Sequence, residues 1–247
     1  MNNNIESLNF GLVPFFKITN LILNGDDADF EQGRDGVIIE DVPTDTVADV
    51  VFEYEGKMSF HTEFSRLDEE RAVLREEEIL PHAPRNLQFF RFSIEVPSDW
   101  DAVAPGVLVK RDSLPNSNLF VWEYDEPVPM IGWILAGKFV KDSKKEGSTP
   151  ISTYLFSEDS SHSKRIMSLA DSVLLFYNSK FTPFRFHNLN IIEVENWVAG
   201  KSVLAISIPS IIMIKKQAFE TEDVFNTYPL ILAHEVAHQW WPATVFI

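Results

Sequence analysis

Apolar residues in this sequence repeat with two different periods, and the change between them falls near Pro150. In "FFRFSIEVP", Phe90, Phe92, Ile94 and Val96 share one face, while Arg91, Ser93 and Glu95 share the other. Alternate side chains of a strand point to opposite faces, so this pattern predicts a half-buried strand, stopped at Pro97. Shorter runs of the same kind stand at "VADVVFEYEG", "GVLVKR", "NLFVWEY" and "IGWILAGKFV". Between them lie "DSLPNSN" and "YDEPVP", whose Pro and Asn residues predict turns. Short strands at such spacing predict an antiparallel β-sandwich.

The polar stretch "KDSKKEGSTP" reads as an interdomain linker, dividing the chain into 1–147 and 148–247. Beyond it, Ile166, Leu169, Ala170, Val173, Leu174 and Tyr177 follow helical spacing, with Ser and Asp upstream as expected caps and Pro183 downstream. "HNLNIIEVENW" and "SVLAISIPSIIMI" read as strands, Pro209 suiting an edge or a bulge. A last helix is expected to begin near Pro229, with Thr227 as its cap. The fold class is therefore α+β.

That last helix carries "LILAHEVAHQWW". Residues four apart lie one turn above each other on a helix, so His234 and His238 can converge on one metal ion. Glu235 is rotated by about a hundred degrees and is placed to act on a water rather than to ligate. Zinc lowers the pKa of bound water to about 7, and a neighbouring carboxylate can then take its proton as the water attacks a carbonyl. Chance would place His-Glu-x-x-His in roughly one in a hundred chains of this length. His61, His82, His162 and His187 stand in no ligand pattern and are expected to be ordinary surface or hydrogen-bonded residues. The chain has no cysteine, so zinc here must be held by His, Asp or Glu.

Charge narrows the partners. The formal net charge is −16, and residues 26–78 hold eighteen Asp and Glu against five Lys and Arg. Such a surface repels phosphate backbones, so nucleic acid is not expected as a partner. No apolar run is long enough for a membrane span, and "MNNNIESLNF" shows neither a basic nor an apolar signal region. A cytoplasmic location is the expectation that follows.

The zinc helix resembles that of the gluzincin aminopeptidases of the M1 family, which reads HE-x-AHQW. Upstream, Tyr54-Glu55-Gly56, Ile94-Glu95-Val96-Pro97 and Gly137-Lys138-Phe139 are similar to strand motifs of that family's amino-terminal sandwich. The resemblance implies an amino-terminal β-sandwich over 1–147 and the start of a thermolysin-like zinc peptidase domain over 148–247. It implies peptide substrates and one zinc ion, held by His234 and His238, with Glu235 as general base. In the family a third ligand, a glutamate, follows the second histidine by about nineteen residues, which would lie past Ile247. The expectation is therefore a chain cut after the His-Glu-x-x-His helix, with impaired activity. Glu193 or Glu195 could stand in for the missing ligand. The family's amine-anchoring motif, Gly-x-Met-Glu-Asn, falls on Gly200-Lys201-Ser202-Val203-Leu204, with Val203 in place of the glutamate. Glu195, in "VENW", is the alternative anchor for a substrate amino group. A non-catalytic fragment or a peptide-binding module stands as the competing reading. Trp240, Trp241 and Phe246 are expected to form an apolar surface that drives self-association or packs back on the sandwich.

Overall fold

The computed structural model describes residues 5–34, 36–43, 48–57, 62–82, 91–124, 132–145, 149–219 and 224–241. The first part is an antiparallel β-sandwich assembled from small sheets. Ile5–Phe10, Val37–Pro43 and Phe30–Gln32 form one, and Asp26–Asp27, Phe16–Leu23 and Val50–Gly56 another. Asp101–Val103, Trp133–Gly137, Arg71–Arg75 and Arg66–Leu67 form a third. The fourth joins Val107–Ser113, Ser117–Glu123 and Arg91–Pro97. The strand read from alternation takes shape as Arg91–Pro97, with Phe92, Ile94 and Val96 inward and the charged residues out; Phe90 lies outside the described residues.

Trp133–Gly137 is buried on both faces, and its indole N–H donates to the Phe64 carbonyl at 3.0 Å. An indole can be buried at little cost only when its one donor is met. Gly56 closes the strand Val50–Gly56 where a Cβ would come within 2.6 Å of the Phe16 ring and 2.7 Å of the Phe15 carbonyl oxygen. Only glycine permits that approach.

The second part is built on a five-stranded mixed sheet, in the order Val140–Lys144, Ile151–Leu155, Leu189–Val194, Ile211–Lys215 and Ala205–Ile208. The three central strands are parallel and the two outer ones antiparallel. Val140–Lys144 thus lies in this sheet, so sheet membership changes upstream of the polar stretch 141–150. Central parallel strands are covered on both sides, which explains why every residue of Leu189–Val194 and Ile211–Lys215 is buried, Asn190, Glu193 and Lys215 included. Ile192, Val194, Ile211 and Met213 join the core of the sandwich, whereas Ile191, Ile212 and Ile214 pack under two helices. One sheet therefore belongs to both cores.

Those helices are Ser163–Lys180 and Val224–Ala237. The first buries Ile166, Met167, Ala170 and Leu174, as its periodicity requires, and ends at Phe181 before Pro183. No Ser or Asp side chain caps its start; a 3₁₀ turn over Ser160–His162 runs straight into it. The second begins at Val224, earlier than the expected Pro229, which sits inside it. Its ring removes one helical hydrogen bond beyond the first turn, so this position is tolerated rather than favoured. Thr227 is within the helix and is not its cap.

Pro209 is neither in an edge strand nor in a bulge. It opens the two-residue turn between Ala205–Ile208 and Ile211–Lys215, followed by Ser210 at φ 63°. Proline at the first turn position presets the backbone for this turn, and the left-handed second residue completes it.

Candidate metal centre

The helix Val224–Ala237 is fastened on two sides. Toward the first helix, Trp240 donates from its indole nitrogen to the Thr182 carbonyl at 2.8 Å and packs on Tyr177 and Phe184. Tyr177 donates to the Ala233 carbonyl at 3.3 Å. Trp240 is 2% exposed, which removes it from the apolar surface expected of the sequence. Trp241 lies half-buried, edge-on to Phe181, and Phe246 is outside the described residues. Toward the sheet, the polar contacts come from Ser207 and Gln239.

Within this frame His234 and His238 meet. Their Nε2 atoms are 3.1 Å apart and their rings stand at 90°. Two imidazoles bound at about 2.1 Å to one tetrahedral zinc ion would show a separation near ~3.4 Å, so the pair fits such an ion with a small opening. The Nδ1 of His238 is 2.8 Å from the Trp241 carbonyl oxygen. That carbonyl can only accept, so Nδ1 carries the proton and the Nε2 lone pair points toward His234. A backbone carbonyl on the far ring nitrogen is the usual orienting contact of a metal-ligating histidine.

Glu235 is 7% exposed. Burial pushes its carboxyl above the ordinary carboxylate range, against the two imidazoles, which favour the charged form. A carboxylate so placed is a stronger base than a solvated one.

The residues considered as a third ligand are engaged elsewhere. Glu193 accepts from the Phe156 backbone N–H at 2.8 Å, and Glu195 accepts from Arg71 Nη1 at 2.5 Å. Among the described residues no three His, Asp or Glu side chains converge on a common point. Neither glutamate completes the imidazole pair. Val203 lies in the loop before the edge strand Ala205–Ile208, and that loop is tied to the sheet by the buried Lys215, whose Nζ donates to the Gly200 carbonyl. Of the other histidines, His82 bridges to Gly11 and His162 lies edge-on to Phe219, both apart from this pair. Sequence reading passed over Ser207 and Gln239. The only hint was a polar residue inside the apolar run "AISIP".

No family model and no curated protein matches the chain by sequence. Solved structures do match its fold. The aminopeptidase A of Legionella pneumophila, in complex with aspartic acid, matches with a TM-score of 0.80 over 95% of this chain, at 17% identity. An M1 zinc metallopeptidase of Deinococcus radiodurans matches with a TM-score of 0.73 over 98%, at 14% identity. A mutant of that peptidase bound to a Tyr-Ser-Ala substrate matches with a TM-score of 0.66, also at 14% identity. The chain spans 30% of the Legionella enzyme and 57% of the Deinococcus one.

Proposed function

We propose, from the fold this chain shares with solved M1 zinc peptidases, that it carries the metal-binding and base-bearing part of a zinc metallopeptidase acting on peptide bonds. The observation that supports this most is the 3.1 Å approach of the two Nε2 atoms beside a buried Glu235. His234 and His238 would hold the ion. Zinc, when bound, supplies Lewis acidity and makes a water acidic near neutral pH.

Glu235 takes the proton of the attacking water and can return it to the leaving amine. Its desolvated carboxyl suits both halves of that task, because its basicity lies nearer neutrality than that of an exposed carboxylate. The substrate amine-anchoring role expected of Glu195 competes with its ion pair to Arg71. On this reading an amino terminus binds Glu195 only by displacing the guanidinium.

Two neutral imidazoles leave the charge of a divalent ion uncompensated, so zinc binding by these residues alone is expected to be weak. Equilibrium dialysis against zinc, with a chromogenic aminoacyl anilide as activity probe, tests the reading. Uptake that saturates at one zinc per chain at high metal, lost in His234→Ala and kept in Glu235→Gln, supports it, and any hydrolysis should be lost in both. A second reading, a peptide-binding module without catalysis, is favoured by the absence of a third converging ligand among the described residues. Peptide binding without zinc uptake would select it. No helix among the described residues is long and apolar enough to cross a membrane.

A further inference from the structure

The metal helix ends against the hairpin of Ala205–Ile208 and Ile211–Lys215 through a closed set of polar contacts. The last four carbonyls of a helix have no partner within it and must find one elsewhere. At this end the amide of Gln239 turns to the Val236 carbonyl at 3.1 Å, which leaves the Glu235 carbonyl without its usual helical donor. Ser207 supplies one: its hydroxyl donates to the Glu235 carbonyl at 2.9 Å.

The same hydroxyl accepts from Gln239 Nε2 at 2.5 Å. Gln239 Nε2 also donates to the Ile208 carbonyl at 2.9 Å, and its Oε1 accepts from the Ser210 amide at 2.9 Å. Gln239 is 1% exposed, so water does not compete for these groups. The Ser210 amide it holds belongs to the left-handed turn residue, at φ 63°. One side chain thus stabilises a strained turn and grips the helix that carries the imidazoles.

We propose that Ser207 and Gln239 are positioning residues for His234, Glu235 and His238. They fix the last turn of the metal helix against the edge strand, and so the direction in which the imidazoles and the carboxylate point. Ser207 reaches Glu235 through its backbone, on the residue between the two histidines. Gln239 directly follows His238, so a rotation of its backbone would move that ring away from the Trp241 carbonyl. Partially satisfied buried networks are costly, which makes this arrangement cooperative rather than a sum of loose contacts. The inference rests on the peptidase reading only for its purpose; the geometry it concerns exists without metal.

The test therefore uses the metal-free chain with ¹⁵N-labelled histidine. The parent should show a single Nδ1–H tautomer for His238. In Ser207→Ala its two ring-nitrogen signals should move toward averaged values, and Ser207→Thr should restore the parent pattern. In a parallel titration with zinc, Ser207→Ala should raise the dissociation constant about tenfold or more, the range seen when orienting contacts are removed. An unchanged imidazole spectrum in Ser207→Ala overturns the proposal, even if its thermal midpoint falls, since the pair would then be a structural tie alone. An averaged tautomer in the parent overturns it as well. Absence of zinc binding by the parent would count against the peptidase reading, and the imidazole spectra would still decide the role of Ser207.

Discussion

The Nε2 atoms of His234 and His238 lie 3.1 Å apart across one helical turn. At this distance a neutral Nε2–H on His234 can donate to the His238 lone pair, and a metal ion held by both rings would take the place of that proton. Replacing either ring by alanine should lower zinc affinity by at least about a hundredfold, because a single imidazole remains. Glu235→Gln should leave affinity within about threefold, since that side chain does not ligate. Isothermal titration of the three variants checks both numbers, and equal losses in all three would remove the division of roles.

Glu193 gives the chain a pH dependence away from the metal site. It is fully buried in Leu189–Val194, where its Oε2 accepts from the Phe156 amide. Burial pushes its carboxyl up to about 8; the Phe156 amide opposes this, while a hydrogen bond and the charge from Asp159, and then the charge of Glu158, add to it. The folded state therefore keeps a proton that the unfolded chain releases above its ordinary carboxylate range. Stability should fall as pH rises from about 4.5 toward 8, by at most about 1.4 kcal/mol per pH unit, and level off above. Glu193→Gln keeps an acceptor for the Phe156 amide and should flatten that slope in urea denaturation. An equal slope in both proteins would contradict the assignment.

Arg71 ties the sandwich to the second part. Its guanidinium pairs with Glu195 and lies 4.2 Å from the centre of the Phe156 ring. A planar cation can do both at once, and lysine cannot, so Arg71→Lys should recover little of the loss in Arg71→Met. The expected loss is about 1–2 kcal/mol, since the pair is half-buried rather than exposed. Chemical denaturation monitored by tryptophan fluorescence reads it. If Glu195 anchors an amino terminus, Arg71→Met should also lower KM for peptides with a free amine.

The two hydrogen bonds that tie the first helix and the loop after it to the metal helix and its last turn should differ in weight. Trp240→Phe leaves the Thr182 carbonyl without its donor and a gap beside Tyr177 and Phe184, at a cost of about 2–3 kcal/mol. Tyr177→Phe removes only a long 3.3 Å bond from a half-buried hydroxyl and should cost under about 1 kcal/mol. Thermal midpoints of the two variants provide the comparison.

Much of this architecture is carried by local pattern. Alternation in Arg91–Pro97 and helical spacing in Ser163–Lys180 arise from the geometry of each residue and its near neighbours, so both were legible in sequence. The same holds for His234 and His238, because a four-residue interval on a helix needs no distant partner to bring two rings together.

Other features required the tertiary structure. Sequence alone put Pro209 at an edge or a bulge, and pairing of Ile208 with Ile211 made it the opening of a turn. The polar run at 141–150 read as a linker, yet Val140–Lys144 found a partner in Ile151–Leu155. Glu193 and Glu195 looked alike as spare carboxylates; one became a buried acid and the other the partner of an arginine 124 residues earlier. Ser207 gained its contact with the Glu235 carbonyl only when the edge strand met the end of the helix. Local pattern set the period of each segment and the spacing of the two imidazoles, because these follow from short-range sterics. Only the folded chain decided which polar groups meet across the sheet, because that choice depends on which distant donors and acceptors burial brings together.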